Sequence, residues 1–125
     1  MKQIIATEKA PAAIGPYSQG VKIGNLVYTS GQLPLNMKTG ELELNDIKAA
    51  TKYCLENVSA ILEAAGTSIN NVVKATVFVT DLNDFAAVNE AYGEFFKENP
   101  PSRSCVQVAA LPKGVHVEIE AIACC

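Results

Sequence analysis

Residues 100–122, PPSRSCVQVAALPKGVHVEIEAI, read as two β-strands joined by a turn at Leu111-Pro112-Lys113-Gly114. Side chains alternate along an extended chain. The second strand therefore places Val117, Ile119 and Ala121 on one face and Glu118, Glu120 and Ile122 on the other. The first strand opens with Arg103, the only arginine in the chain, and alternation puts Cys105 on the same face. An arginine fork at one strand start and a carboxylate on a nearby strand could hold a small carboxylate substrate and act on it.

Upstream of this stretch, Phe85, Val88, Ala91 or Tyr92, and Phe95 recur at helical spacing. They predict a helix that ends near Glu98, is stopped by Asn99-Pro100-Pro101, and has Asp84 as its candidate cap after a turn over 81–84. Residues 72–80 are β-branched and strand-like, with Val73, Ala75, Val77 and Val79 predicted on one face and Lys74, Thr76, Phe78 and Thr80 on the other. A longer helix is predicted from a cap at Asn45 or Asp46 to Ala65, with Gly66 as its stop. Ile47, Ala50, Cys54, Val58, Ile61, Leu62 and Ala65 give it one apolar face. Residues 34–40 read as a loop turning at Lys38-Thr39-Gly40. Residues 19–23 and 26–30 read as a hairpin about Gly24-Asn25, and 3–5 as a short strand. Residues 10–17 hold two prolines and a glycine and read as an irregular loop closed by Tyr17. Gly31, at a strand end, marks either a close approach of backbone to a ligand or another chain, or a bulge.

The order β-β-β-α-β-α-β-β predicts one α+β domain over residues 1–125, in two layers: a mixed six-stranded sheet with two helices on one face. The opposite face carries Thr76, Phe78 and Ile122 and is too apolar to remain wet, so a homo-oligomer is expected, with any site at a chain boundary built from two chains. A hydrophobic content of 49% supports a real core. A net charge of -3 argues against an electrostatic grip on nucleic acid or anionic membrane. No apolar run reaches the length of a membrane span, and residues 1–15 lack a signal peptide's apolar region, so a cytoplasmic address is expected. Cys54, Cys105, Cys124 and Cys125 form no C-x-x-C pair and His116 is the only histidine, so no metal site is expected. Cys54 reads as a small buried apolar residue, and Cys124 and Cys125 as free thiols. Cys105 has a cation two residues away to lower its pKa, but neither it nor Ser30 has an evident base. A partly buried Glu118 would have a raised pKa and could position or activate a water.

Five stretches carry a resemblance: Ala12-Ala13-Ile14-Gly15-Pro16-Tyr17-Ser18-Gln19, Thr29-Ser30-Gly31-Gln32, Val77-Phe78-Val79-Thr80-Asp81-Leu82, Pro101-Ser102-Arg103-Ser104-Cys105-Val106 and Val117-Glu118-Ile119-Glu120-Ala121-Ile122-Ala123. In this order and spacing they resemble the RidA/YjgF/YER057c/UK114 family of reactive-intermediate deaminases over essentially the whole chain. The resemblance implies a chorismate-mutase-like α+β fold and a homotrimer with three sites between subunits. It implies a 2-iminobutanoate/2-iminopropanoate deaminase that hydrolyses imines and enamines such as 2-aminoacrylate, released by pyridoxal-phosphate-dependent dehydratases, to 2-oxo acids and ammonia. It implies no cofactor and no metal. Arg103 matches the family's carboxylate clamp and Glu118 the acid that orients the attacking water. Tyr17, Ser30, Gly31, Asn89 and Cys105 match the pocket lining, with Phe85 close to the same wall. Residues 97–102, at the pocket rim, are shorter than in some relatives. Two competing readings are an endoribonuclease or translation inhibitor, which needs a basic surface with stacking aromatics, and a non-enzymatic trimer that binds 2-oxo acids or acts as a chaperone.

Overall fold

The computed structural model describes residues 1–125. Its elements are β1 (Gln3–Ile5), β2 (Gly20–Ile23), β3 (Leu26–Thr29), β4 (Leu35–Asn36), β5 (Glu41–Leu42), α1 (Ile47–Ala64), β6 (Val72–Val79), α2 (Phe85–Phe95), β7 (Ser102–Gln107) and β8 (Val117–Cys124). Six strands form one mixed sheet in the order β1-β2-β3-β8-β6-β7. Every pair is antiparallel except β6–β7. That parallel pair is joined through α2, as a crossover between parallel strands requires. β7 and β8 follow one another in sequence but are not neighbours, because β6 lies between them. β7 is left as an edge strand.

Both helices cover one face of the sheet. Val117, Ile119, Ala121 and Ala123 of β8 and Ala75, Val77 and Val79 of β6 are buried against Leu55, Val58, Ile61 and Leu62 of α1 and Val88, Tyr92 and Phe96 in and beside α2. Full burial of a Val, Leu or Ile stabilises by about 1.5–3 kcal/mol, so this shared face dominates the energetics. α1 begins where Asp46 accepts a hydrogen bond from the Ala49 N–H. It ends with Thr67 N–H donating to Leu62 O and Gly66 N–H to Glu63 O, both at 3.0 Å, with Gly66 at φ +90°. This is the 6→1 and 5→2 closure that a left-handed residue after the helix permits.

Four local expectations change. β4 and β5 pair as a small hairpin inside the region expected to be a plain loop. Asn57 Nδ2 donates to Leu33 O and Leu35 O and ties that region to α1. In β6 the register against β8 shifts between Val72 and Lys74, so Val72 is buried and Val73, expected on the core face, is 45% exposed. A bulge inserts one residue and flips the faces before it. Asp84 makes no side-chain cap for α2; Asp81 instead accepts from Asn83 N–H in a short 3₁₀ turn over Leu82–Asp84. α2 also stops earlier than Glu98, at Phe95.

The second sheet face has no covering layer in the chain. Strand register places Ile4, Ile23, Leu26, Tyr28 and Val106 on it, each at least 37% exposed, with Phe78 and Ile122 half-buried among them. No helix is long and apolar enough to cross a membrane.

Candidate active site

Arg103 lies opposite Ala75 in the parallel β6–β7 register and so projects from the helix-covered face. α2 meets it there with three side chains spaced along one stripe, Phe85, Asn89 and Tyr92. Arg103 Nη1 donates to Asn89 Oδ1 at 2.8 Å. Its Cζ sits 5.4 Å from the Phe85 ring centroid and 4.8 Å from that of Tyr92. No carboxylate pairs with it; the one ion pair in the chain is Lys48–Glu90, at 2.8 Å. The result is a half-buried cation whose orientation is fixed by neutral groups and whose charge is unmatched. An arginine so placed is suited to a carboxylate from outside the chain.

Cys105 sits opposite Val77, on the same face as Arg103 and half-buried. Burial pushes its thiol above the ordinary value, and the Arg103 charge offsets this only in part. The cation beside it does not produce a lowered pKa as expected, because desolvation outweighs it. The Tyr92 hydroxyl is likewise pushed up by burial, with Arg103 opposing. It is the chain's only buried side-chain polar atom without a hydrogen-bond partner. In the sequence Tyr92 marks only the apolar face of a helix. Its spacing from Phe85 and Asn89 was the available signal for more.

Glu118 lies elsewhere. It is opposite Phe78 on β8 and projects from the uncovered face. Burial raises its carboxyl above the ordinary range, and the Glu120 charge raises it further. Its carboxylate rests on Gly31, where an added Cβ would overlap it. Between the Tyr28↔Ile122 pair and the Gln32↔Ile119 bridge the register slips by one residue, so Gly31 also sits in a bulge. The bulge reading of this glycine holds, and the space left by its missing side chain is taken by Glu118 of the same chain. The Ser30 hydroxyl donates to Ser18 O at 2.6 Å, which commits its proton to the backbone. Tyr17 is 52% exposed at the end of its loop. Gln19 anchors that loop: buried, it donates through Nε2 to Thr7 O, Ala10 O and Pro11 O and accepts from Thr7 N–H. Nothing in the spacing of Gln19 signalled this brace.

The candidates thus form two groups. Arg103, Asn89, Phe85 and Cys105 meet on the helix side at the β7 edge, while Glu118 and Gly31 meet on the open side. With β6 between β7 and β8, the two strands are roughly 10 Å apart, and the side chains leave opposite faces. One small molecule cannot touch Arg103 and Glu118 of the same chain. A cavity of about 760 Å³ between α1 and the β4–β5 hairpin is lined by neither residue. A second, of about 450 Å³, includes Tyr17 and Ser18 but again neither.

Residues 7–125 match the family model described as endoribonuclease L-PSP. The chain is 59% identical over 126 residues to the 2-iminobutanoate/2-iminopropanoate deaminase of Escherichia coli, covering 98% of each. It is 63% identical over 127 residues to a RutC family protein of Haemophilus influenzae, covering 98% of this chain and 97% of the relative. The solved structure of E. coli TdcF with bound serine superposes with a TM-score of 0.93 at 54% identity, covering 98% of each chain.

Proposed function

The chain belongs to the endoribonuclease L-PSP family, alongside the RutC family proteins, and from that premise we propose that it hydrolyses small 2-iminocarboxylates to 2-oxo acids and ammonia. The observation that carries the reading is Arg103, a positioned guanidinium with no acid of its own. The relative at 59% identity is named a 2-iminobutanoate/2-iminopropanoate deaminase, and TdcF holds serine, a small molecule with a carboxylate.

Arg103 binds the substrate carboxylate through the guanidinium edge that Asn89 leaves free. The electrophilic C=N carbon, one bond away, is then held in fixed geometry. Water adds to that carbon, nitrogen gains protons, and ammonia leaves as the carbonyl forms. Glu118 orients the water and takes its proton. A carboxyl raised by burial and by Glu120 suits proton exchange closer to neutral pH. Because Arg103 and Glu118 of one chain cannot meet, the site is shared. One chain supplies Arg103, Asn89 and Cys105, and a neighbour supplies Glu118, Gly31, Ser30 and Tyr17. A homotrimer with three such sites is the assembly we assign. The uncovered apolar sheet face and the unpaired β7 edge support it.

The test generates 2-aminoacrylate with a purified serine dehydratase in the presence of semicarbazide. Wild-type protein should suppress semicarbazone formation, and Arg103→Ala should not. If neither has an effect, the hydrolase reading fails. The ribonuclease named by the family description has less support, since the chain carries a net charge of -3 and its single arginine lies against α2.

A further inference from the structure

Arg103 leaves an edge strand and is touched by three side chains of α2. Asn89 fixes one nitrogen, and a single hydrogen bond still allows the planar group to roll about it. Aromatic faces remove that freedom, because the ring quadrupole draws the cation over the face. The two rings are not equivalent. Phe85 is 39% exposed and its ring centroid is 5.4 Å away, whereas Tyr92 is 6% exposed at 4.8 Å. Tyr92 is backed by Phe96, with centroids 4.6 Å apart, so it cannot retreat. Its hydroxyl bonds to nothing in the chain, and the group it turns to the guanidinium is its ring.

We infer that Tyr92 is a positioning residue for Arg103, its buried ring fixing the plane in which the guanidinium presents its free edge to a carboxylate. This rests on the reading of Arg103 as the clamp. The test exploits the fact that Arg103 is the only arginine, so the protein gives one arginine Nε–H signal in a nitrogen-15 NMR spectrum. In wild type and Tyr92→Phe that signal should be ring-shifted and rigid. In Tyr92→Leu it should move toward the free-arginine position and become mobile. Tyr92→Met, unbranched and able to fill an irregular gap, carries the same test if the leucine variant does not fold. With 2-iminobutanoate as substrate, Tyr92→Leu should raise KM about tenfold with little change in kcat. Tyr92→Phe should behave as wild type, because it keeps the ring; the Tyr92→Leu loss falls on KM because a carboxylate contact made in both ground and transition states is uniform binding. An unmoved Arg103 signal in Tyr92→Leu overturns the inference. So does a Tyr92→Phe variant as impaired as Tyr92→Leu, since that would assign the role to the hydroxyl. If wild type turns over no imine, the hydrolase reading falls, while the NMR signal still decides whether Tyr92 holds Arg103.

Discussion

Arg103 meets one amide and two rings, and a lysine there would present a point charge to groups arranged for a planar fork. Arg103→Lys should therefore lower kcat/KM about tenfold or more, mainly through KM, and steady-state kinetics would show it. Glu118 gives a prediction about stability. Its carboxyl is raised by burial first and by Glu120 second, so the folded chain holds this proton at a pH where the unfolded chain has lost it. The stability tied to this proton is full below the unfolded pKa and is lost as pH rises through the folded pKa. Glu118→Gln keeps the shape and removes the charge. It should melt at a higher temperature than wild type at mildly alkaline pH, with the gap closing below the ordinary carboxylate range. A gap independent of pH would show that charge burial is not its cause. These two residues were visible in the sequence for different reasons. Arg103 stood out by being unique, and Glu118 by lying in an alternating strand. Tyr92 and Gln19 were not visible as site groups, because an aromatic at helical spacing and a glutamine after a loop give the same signal whatever they touch.

The elements themselves were legible wherever local chemistry decides them. The alternation in β8, the Asp46 cap and the Gly66 stop each depend on a few neighbouring residues, and each appears as expected. Asp46→Ala should cost about 1 kcal/mol, read as a lower melting temperature with unchanged turnover. What misled was register. The bulge that exposes Val73 and the insertion of β6 between β7 and β8 are set by pairing across the sheet, and no window of sequence contains both partners. Gly31 shows the functional consequence. It lies in the slip between β3 and β8, and the absence of a side chain there leaves the space that the Glu118 carboxylate occupies. Gly31→Ala should push that carboxylate aside and reduce turnover at least as far as Glu118→Gln, a loss of about 10²-fold or more for a misplaced proton-transfer group. Circular dichroism should show the fold retained. A fully active Gly31→Ala variant would remove Glu118 from the proposed mechanism.

At the scale of the molecule, the deciding fact is that Arg103 and Glu118 leave opposite faces of one sheet, on strands separated by β6. Either only one of them serves the reaction, or two chains build each site. The two alternatives separate in a mixing experiment. Arg103→Ala and Glu118→Gln are each expected to be inactive as pure assemblies. If every site takes Arg103 from one chain and Glu118 from its neighbour, unfolding the two variants together in equal amounts and refolding them gives assemblies in which some sites pair an intact Arg103 with an intact Glu118. Random assembly into closed rings makes that fraction about one quarter of sites, independent of which chains neighbour which. Turnover should therefore recover to about a quarter of wild type, while the two variants mixed without unfolding stay inactive until chains exchange. If only one of them serves the reaction, the variant of the other keeps its turnover as a pure assembly, and refolding the mixture adds nothing beyond the average of the two. Light scattering of the same sample should report three chains per particle, the assembly proposed above.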